Sequence, residues 1–272
     1  MSHAVADEYA VLDQLHRHDT SHRARAIGRS LREPNAVQPP VAFDPASIAD
    51  LPEPARRWLT RAVEPGTPLV DAVEIQMHGE IKLGRWRPFT ATQALVPDSG
   101  FVWAARTRLA GLAVRGFDSL SAAGGVQRWR MLGVVPVQSA SGQDVTHSAA
   151  DRLVAESVLL PTSLVQARWR REDNDRATYL HARGRAGICS DGGGRLLRVA
   201  MQRWGRPRGR HYAEHRFEVA FASEFAVGGL LLPDVMSAAW VDTHGVRQEF
   251  FRAEIDSADL YIAAGGRRGR HA

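Results

Sequence analysis

The sequence predicts a mainly β protein (β with α): a curled antiparallel sheet or half-open β-barrel wrapped around a central helix, with a second helix leading into it. Three observations carry that reading. Val73, Ile75, Met77, Gly79, Ile81 and Leu83 alternate with Glu74, Gln76, His78, Glu80 and Lys82 in unbroken period two, the pattern of a half-buried strand. Further strand-like runs follow at spacings too short for βαβ crossovers, so antiparallel hairpins are expected. One stretch, residues 147–160, is apolar on most sides of a helix, its narrow polar arc being Asp151, Arg152 and Glu156, and therefore belongs inside the curl.

In chain order, residues 1–50 read as a flexible arm and linker. Val5, Tyr9, Leu12 and His16 recur at helical spacing, a polar arginine-bearing stretch follows, and Pro34, Pro39, Pro40 and Pro45 mark an extended link. Pro52 and Pro54 open the leading helix over residues 55–63, because proline suits a first helical turn, and Gly66 and Pro68 stop it. After the strand at 73–83 come runs at 89–96, 101–107, 112–117 and 126–135, broken at Pro97-Asp98-Ser99-Gly100 and Ala122-Ala123-Gly124-Gly125. Pro161 ends the central helix. Strands resume at 177–183, 195–204, 216–221, 235–242 and 246–255, with Asp191-Gly192-Gly193-Gly194 and His244-Gly245 as hairpin turns. Residues 51–262 thus form one curled-sheet domain, and residues 263–272 a disordered tail. A sheet this long must curl or close to hide its apolar face.

Composition excludes several classes. With 272 residues, 44% hydrophobic and 24% charged, the chain is an ordinary globular one with enough length to bury a core. It has no apolar run of bilayer-spanning length, and Asp7, Glu8 and Asp13 stand where a signal peptide needs basic and then apolar residues, so a cytoplasmic location is expected. Cys189 is the single cysteine, so no internal disulfide can form. The net charge of +5 divides into −2 over residues 1–50 and +7 over the rest. Lys82 is the one lysine among 35 basic residues, a ratio better explained by arginine codon choice than by phosphate recognition. Nucleic acid is accordingly not among the expected partners.

Each chemical motif has a plainer reading. His211-Tyr-Ala-Glu-His215 matches an inverted zinc-protease pattern, but that chemistry needs both histidines on one helical face. Phe217, Val219 and Phe221 alternate immediately after it, and on a strand residues four apart are separated by about 13 Å. His16, His18 and His22 lie in an arginine-rich stretch whose charge opposes a cation, and His78 falls on the polar side of its strand. Gly192–Gly194 form a turn rather than a phosphate loop, and Cys189 has no base beside it. No catalytic residue, metal or cofactor is assigned. Glu156 stands out as an ionisable residue on the apolar helix, where it could orient a ligand head, although Arg152 four residues earlier offers an ordinary ion pair.

Five collinear segments carry a resemblance. Leu51-Pro-Glu-Pro-Ala-Arg-Arg-Trp-Leu, Phe101-Val-Trp-Ala-Ala-Arg, Leu132-Gly-Val-Val-Pro-Val, Ala155-Glu-Ser-Val-Leu-Leu-Pro-Thr-Ser-Leu and Phe250-Phe-Arg-Ala-Glu-Ile resemble a bacterial family classed only as a domain of unknown function, over about residues 51–257. That family is similar in outline to lipoprotein-carrier proteins, whose half-open β-barrel wraps helices over an apolar cavity. The resemblance implies that fold and an apolar interior. Leu159-Leu160 stand here where the family has an aromatic pair before the proline.

The function expected is a non-catalytic binding module holding an apolar or amphipathic small molecule, of which lipid is one class, in a half-barrel cavity. Met77, Trp103, Trp129, Leu153, Glu156, Trp240 and Phe251 are the candidate ligand-binding residues, the large apolar ones for their area and Glu156 for its charge. Two alternatives stand beside it. One is a hydrolase-like enzyme using Glu156 with His147 or His181; the other is a basic interaction protein docking an acidic partner through the Arg203–Arg216 stretch.

Overall fold

Strand β1 (Ala72–Leu83) forms where the period-two run predicts it, and it lies at the middle of the sheet rather than at an edge. The structure is a computed structural model that describes residues 41–207, 211–262 and 266–268. From β1 the chain runs outward as a meander through β2 (Arg85–Val96), β3 (Gly100–Leu109), β4 (Leu112–Ser121), β5 (Gly124–Met131) and β6 (Val135–Ser141). A second series comprises β7 (Arg168–Arg171), β8 (Arg176–His181), β9 (Gly184–Ser190), β10 (Leu196–Gly205), β11 (Ala213–Phe221), β14 (Val235–Val241) and β15 (Arg247–Ile262). The last of these pairs with β1, so the two series make one fourteen-stranded antiparallel sheet in the order β6-β5-β4-β3-β2-β1-β15-β14-β11-β10-β9-β8-β7, with β16 (Gly266–Arg268) on β15. A separate hairpin joins β12 (Glu224–Val227) to β13 (Leu230–Pro233). The sheet is open, and the fold class read from the sequence holds.

Two helices pack on it. Helix α1 (Glu53–Ala62) buries Pro54, Ala55, Trp58, Leu59 and Ala62, one stripe at helical spacing, against β7–β9 and β13. Helix α2 (Gln143–Glu156) lies against β3–β6 on one side and against β9 and β10 on the other, so it spans the curl between the two series. It starts four residues earlier than the sequence reading, and its C-terminal part tightens into short 3-10 turns at Ser157–Leu159 and Pro161–Leu164. The Tyr179 hydroxyl donates to the Val154 carbonyl at 2.5 Å, satisfying a helix-end acceptor inside the core. Burial pushes the Tyr179 phenol well up, so it stays a neutral donor.

Several boundaries needed correction. The run at 126–135 is two strands, because Leu132 and Gly133 turn between β5 and β6 with φ of 52° and 78°. A leucine at positive φ gives no turn signal in the sequence. Strands β7, β9, β12 and β13 were not anticipated, and β15 extends to Ile262. The domain also begins before residue 51. Val41 and Phe43 hydrogen-bond to the segment after α1, and Phe43 and Ile48 are 2% and 1% exposed within the core. Prolines around them masked two buried anchors. The proposed arm up to residue 40, the predicted first helix and His16, His18 and His22 lie outside the described residues, as does most of the tail.

Phe43→Ala should therefore cost about 3–5 kcal/mol of stability in urea denaturation, the penalty of emptying a packed aromatic site. A loss below about 0.5 kcal/mol would return residues 41–50 to a loosely docked linker.

Candidate functional site

The inner face of the sheet changes character along the strands. On β1, Val73, Ile75 and Met77 are buried, Gly79 and Ile81 are half-buried, and Leu83 is 41% exposed. The inward row thus emerges from the core into solvent. Where it emerges, the face is aromatic. Trp103 touches Phe89, Trp129 and Phe251 with ring centroids 5.6, 5.7 and 6.1 Å away, and Trp240 touches Phe217 and Phe250 at 5.3 and 5.9 Å.

Two local devices shape this face. Ala238 pairs with Phe251 but Ala239 pairs with Glu249, so Phe250 is the extra residue of a β-bulge. Alternation would send Phe250 and Phe251 to opposite sides. The bulge instead lets Phe251 stack on Phe89 while Phe250 stacks on Trp240. The second device is glycine beneath tryptophan. A Cβ on Gly116 would meet the Trp129 ring at 2.5 Å, and one on Gly205 would meet the Trp240 ring at 2.5 Å. Both indoles approach backbone at positions where only glycine leaves room for them.

Deeper in, a charged network sits between α2 and the sheet. Ile75, Gln93, Trp103, Asp118 and Gln127 form one row across five strands. Above it, Arg152 donates through Nε to Glu156 at 2.7 Å, and its Nη1 lies 3.5 Å from Asp118. Gln93 donates to the other Glu156 oxygen at 2.7 Å, and the Trp129 indole N–H donates to Asp118 at 2.9 Å. The Arg152 guanidinium also lies over Phe101 and Trp103, 4.6 and 5.2 Å from their centroids. Burial raises the Asp118 pKa, with Arg152 and the Trp129 bond opposing the rise. Across the interior, Arg203 lies over Phe217 and Trp240 at 4.6 and 5.3 Å. Burial, reinforced by repulsion from Arg152, lowers its pKa to about 10, so it keeps its charge at neutral pH.

The candidate residues divide accordingly. Trp103, Trp129, Trp240 and Phe251 share the aromatic face, where Trp129, Trp240 and Phe251 are half-buried. Met77 and Leu153 are packed in the core at 3% and 0% exposure. Glu156 forms the ion pair with Arg152 that its spacing offered. Neither proposed histidine is bonded to it: His181 bonds the Pro97 carbonyl, and His147 stacks on Trp204 near Asp151. Of the Arg203–Arg216 stretch, Arg203 turns inward over Phe217, Arg206 and Arg216 are exposed, the latter paired with the buried Glu218, and residues 208–210 lie outside the described residues. His215 lies on β11 and meets the edge of Trp240, while His211 precedes the strand; no three potential metal ligands cluster among the described residues. Exposed His78 bonds Asp256, and Cys189 is half-buried in β9.

Gln93 and Asp118 were not singled out from the sequence, and Arg203 was read only as one end of a basic stretch. The signal was present: each is polar but in phase with inward apolar neighbours, Arg203 with Val199 and Met201, and Gln93 with Ala91 and Leu95.

Fold and face together define an open antiparallel β-sheet protein with an aromatic inner surface and a charged interior. The chain belongs to the Family of unknown function (DUF6544), whose model matches residues 41–253. No curated protein matches it by sequence. Among solved structures, a putative outer membrane lipoprotein-sorting protein domain from Vibrio parahaemolyticus is similar at 9% identity and a TM-score of 0.39, covering 70% of this chain and 85% of its own. A LolA superfamily protein from Nitrosomonas europaea is similar at 7% identity and a TM-score of 0.34, covering 80% and 93%. Among the described residues no helix is long and apolar enough to cross a membrane.

Asp118→Asn keeps the acceptor for Trp129 and removes the titration. The folded state holds the Asp118 proton more tightly than the unfolded chain, so ionising it subtracts stability as pH rises through the raised folded pKa. The stability of the variant relative to the natural chain should therefore increase from about pH 3 upward and level off above that pKa, as read from urea midpoints. A difference that falls with pH would show that Arg152 outweighs desolvation.

Proposed function

We propose that this protein is a non-catalytic binding module that holds an apolar or amphipathic small molecule, of lipid type, against the inner face of its sheet. The observation that carries the reading is the gradient on β1, from Val73 at 0% to Leu83 at 41% exposure, whose emerging part pairs half-buried Ile81 with half-buried Phe251, on the face that also carries half-buried Trp129, Trp240 and Phe250. Apolar rings that remain partly wet at the end of a core are surface that a ligand can dry, gaining about 25 cal/mol per Å² before ordering costs. An acid–base reading has less support. Both Glu156 oxygens already accept hydrogen bonds, and His147 and His181 are engaged elsewhere.

The test uses a neutral apolar fluorophore, N-phenyl-1-naphthylamine. It should bind saturably, raise the melting temperature by mass action and be displaced by dodecanol. Trp240→Ala should weaken it about tenfold, since roughly 60 Å² of contact at about 25 cal/mol per Å² is about 1.5 kcal/mol. Absence of saturable binding, with the natural chain folded, would refute the module.

A further inference from the structure

The two inner arginines are not equivalent. Arg152 is fully answered, with Glu156 on Nε, Asp118 beside Nη1 and two aromatic rings beneath its plane. Arg203 has the aromatic support, while Glu156, Asp151 and Asp118 act on it only through space and not as direct ion pairs. Its guanidinium lies over Phe217 and Trp240, yet among the described residues no acid forms a direct ion pair with it, and its Nε is buried without a hydrogen-bond partner. Asp118 and Glu156 bond Arg152, Trp129 and Gln93, and Asp151 bonds the Trp204 backbone N–H, so their influence on Arg203 is a through-space one.

The imbalance extends over the face. Among the described residues, the buried side-chain polar atoms that lack a partner on inward-phase positions are Arg87 Nε, Trp103 Nε1 and Arg203 Nε. All three are donors. A buried donor without an acceptor is costly, and a set of one sign asks for an acceptor from outside the chain.

We propose that Arg203 receives the anionic head, a carboxylate or phosphate, of an amphiphile whose apolar chain lies along Trp240, Phe250 and Phe251. The inference rests on the binding reading above and specifies its ligand. A guanidinium lodged over two rings is restrained in its motion, and its planar fork matches two oxygens of a carboxylate or phosphate. The adjoining aromatic face supplies the apolar half of the site.

Dodecanoate, dodecyl phosphate, dodecanol and acetate, each titrated calorimetrically into the full chain, separate the elements. Dodecanoate or dodecyl phosphate should bind at least tenfold more tightly than dodecanol, and acetate should not compete at equal concentration. Arg203→Met, which keeps an unbranched stem on the rings, should bring the anion down to the dodecanol affinity and leave dodecanol unchanged; Arg203→Lys should retain part of the preference. Equal affinity for anion and alcohol in the natural chain overturns the headgroup assignment while leaving the module intact. Acetate competing as well as dodecanoate overturns the amphiphile. If none of the four binds, the module fails and the assignment with it. Because the comparison of anion with alcohol needs no variant, a destabilised Arg203→Met does not blunt the test.

Discussion

The antiparallel union of β1 with β15 is the constraint on which the rest of the molecule depends. It joins two meanders that would otherwise each expose two edges and an uncovered apolar face. The seam is irregular where a bulge accommodates Asp256, which bonds His78 on the neighbouring strand, and β15 carries a second bulge, at Phe250, in its pairing with β14. Each adds local twist, and twist across a central seam curls the flanks toward one side. Helix α2 then meets strands of both flanks, which a flat sheet could not offer it. The inner face is larger than one fourteen-residue helix can cover, and the uncovered part is where the aromatic residues gather.

Charges inside such a curl need a physical reason. Two carboxylates, Asp118 and Glu156, surround Arg152, with Gln93 and Trp129 filling further positions. Pairs of this kind contribute little net stability against an apolar replacement, but removing one partner strands the other in low dielectric. Their effect is geometric. Because Arg152 and Glu156 are one turn apart and fastened to β2 and β4, the helix cannot rotate without breaking several bonds at once. At its other end, Asp144 and Asp151 accept from the Trp204 indole and backbone N–H at 2.9 and 2.6 Å. Polar fastening on both flanks fixes the setting of α2 above an apolar face that would by itself tolerate sliding.

Much of this was legible in the sequence. Period two located β1, prolines located α1, and narrow polarity on residues 147–160 placed α2 inside the curl, because each of these signals is local. The Glu156–Arg152 pair followed from helical spacing alone. What was not legible depends on partners distant in the chain. Phe43 is buried by elements that begin after α1, and nothing beside it in the sequence foretells that. The short strands β7, β12 and β13 carry too few residues for a period. Arg203 looked like one of a basic run because charge was counted along the chain; its strand phase, shared with Val199 and Met201, was the better guide.

The distribution of size across the inner face gives the last step. Gly79, Ala91, Ala105 and Ala253 occupy inward positions on the central strands β1, β2, β3 and β15, whereas Trp129 and Trp240 stand toward the flanks over glycine. A sheet that merely had to be filled would place its largest residues opposite the least covered strands, since voids cost contacts on every side. The same central strands also carry Phe89, Trp103 and Phe251, so large rings are set among small residues in the middle, and a bulge brings Phe250 in beside Trp240. Arg203 stands beside Trp240 with its charge supported by rings and its buried Nε unanswered. An aromatic face bordered by an arginine whose Nε lacks a partner is a poor solution for packing alone and a good one for an elongated molecule with an acceptor at its head.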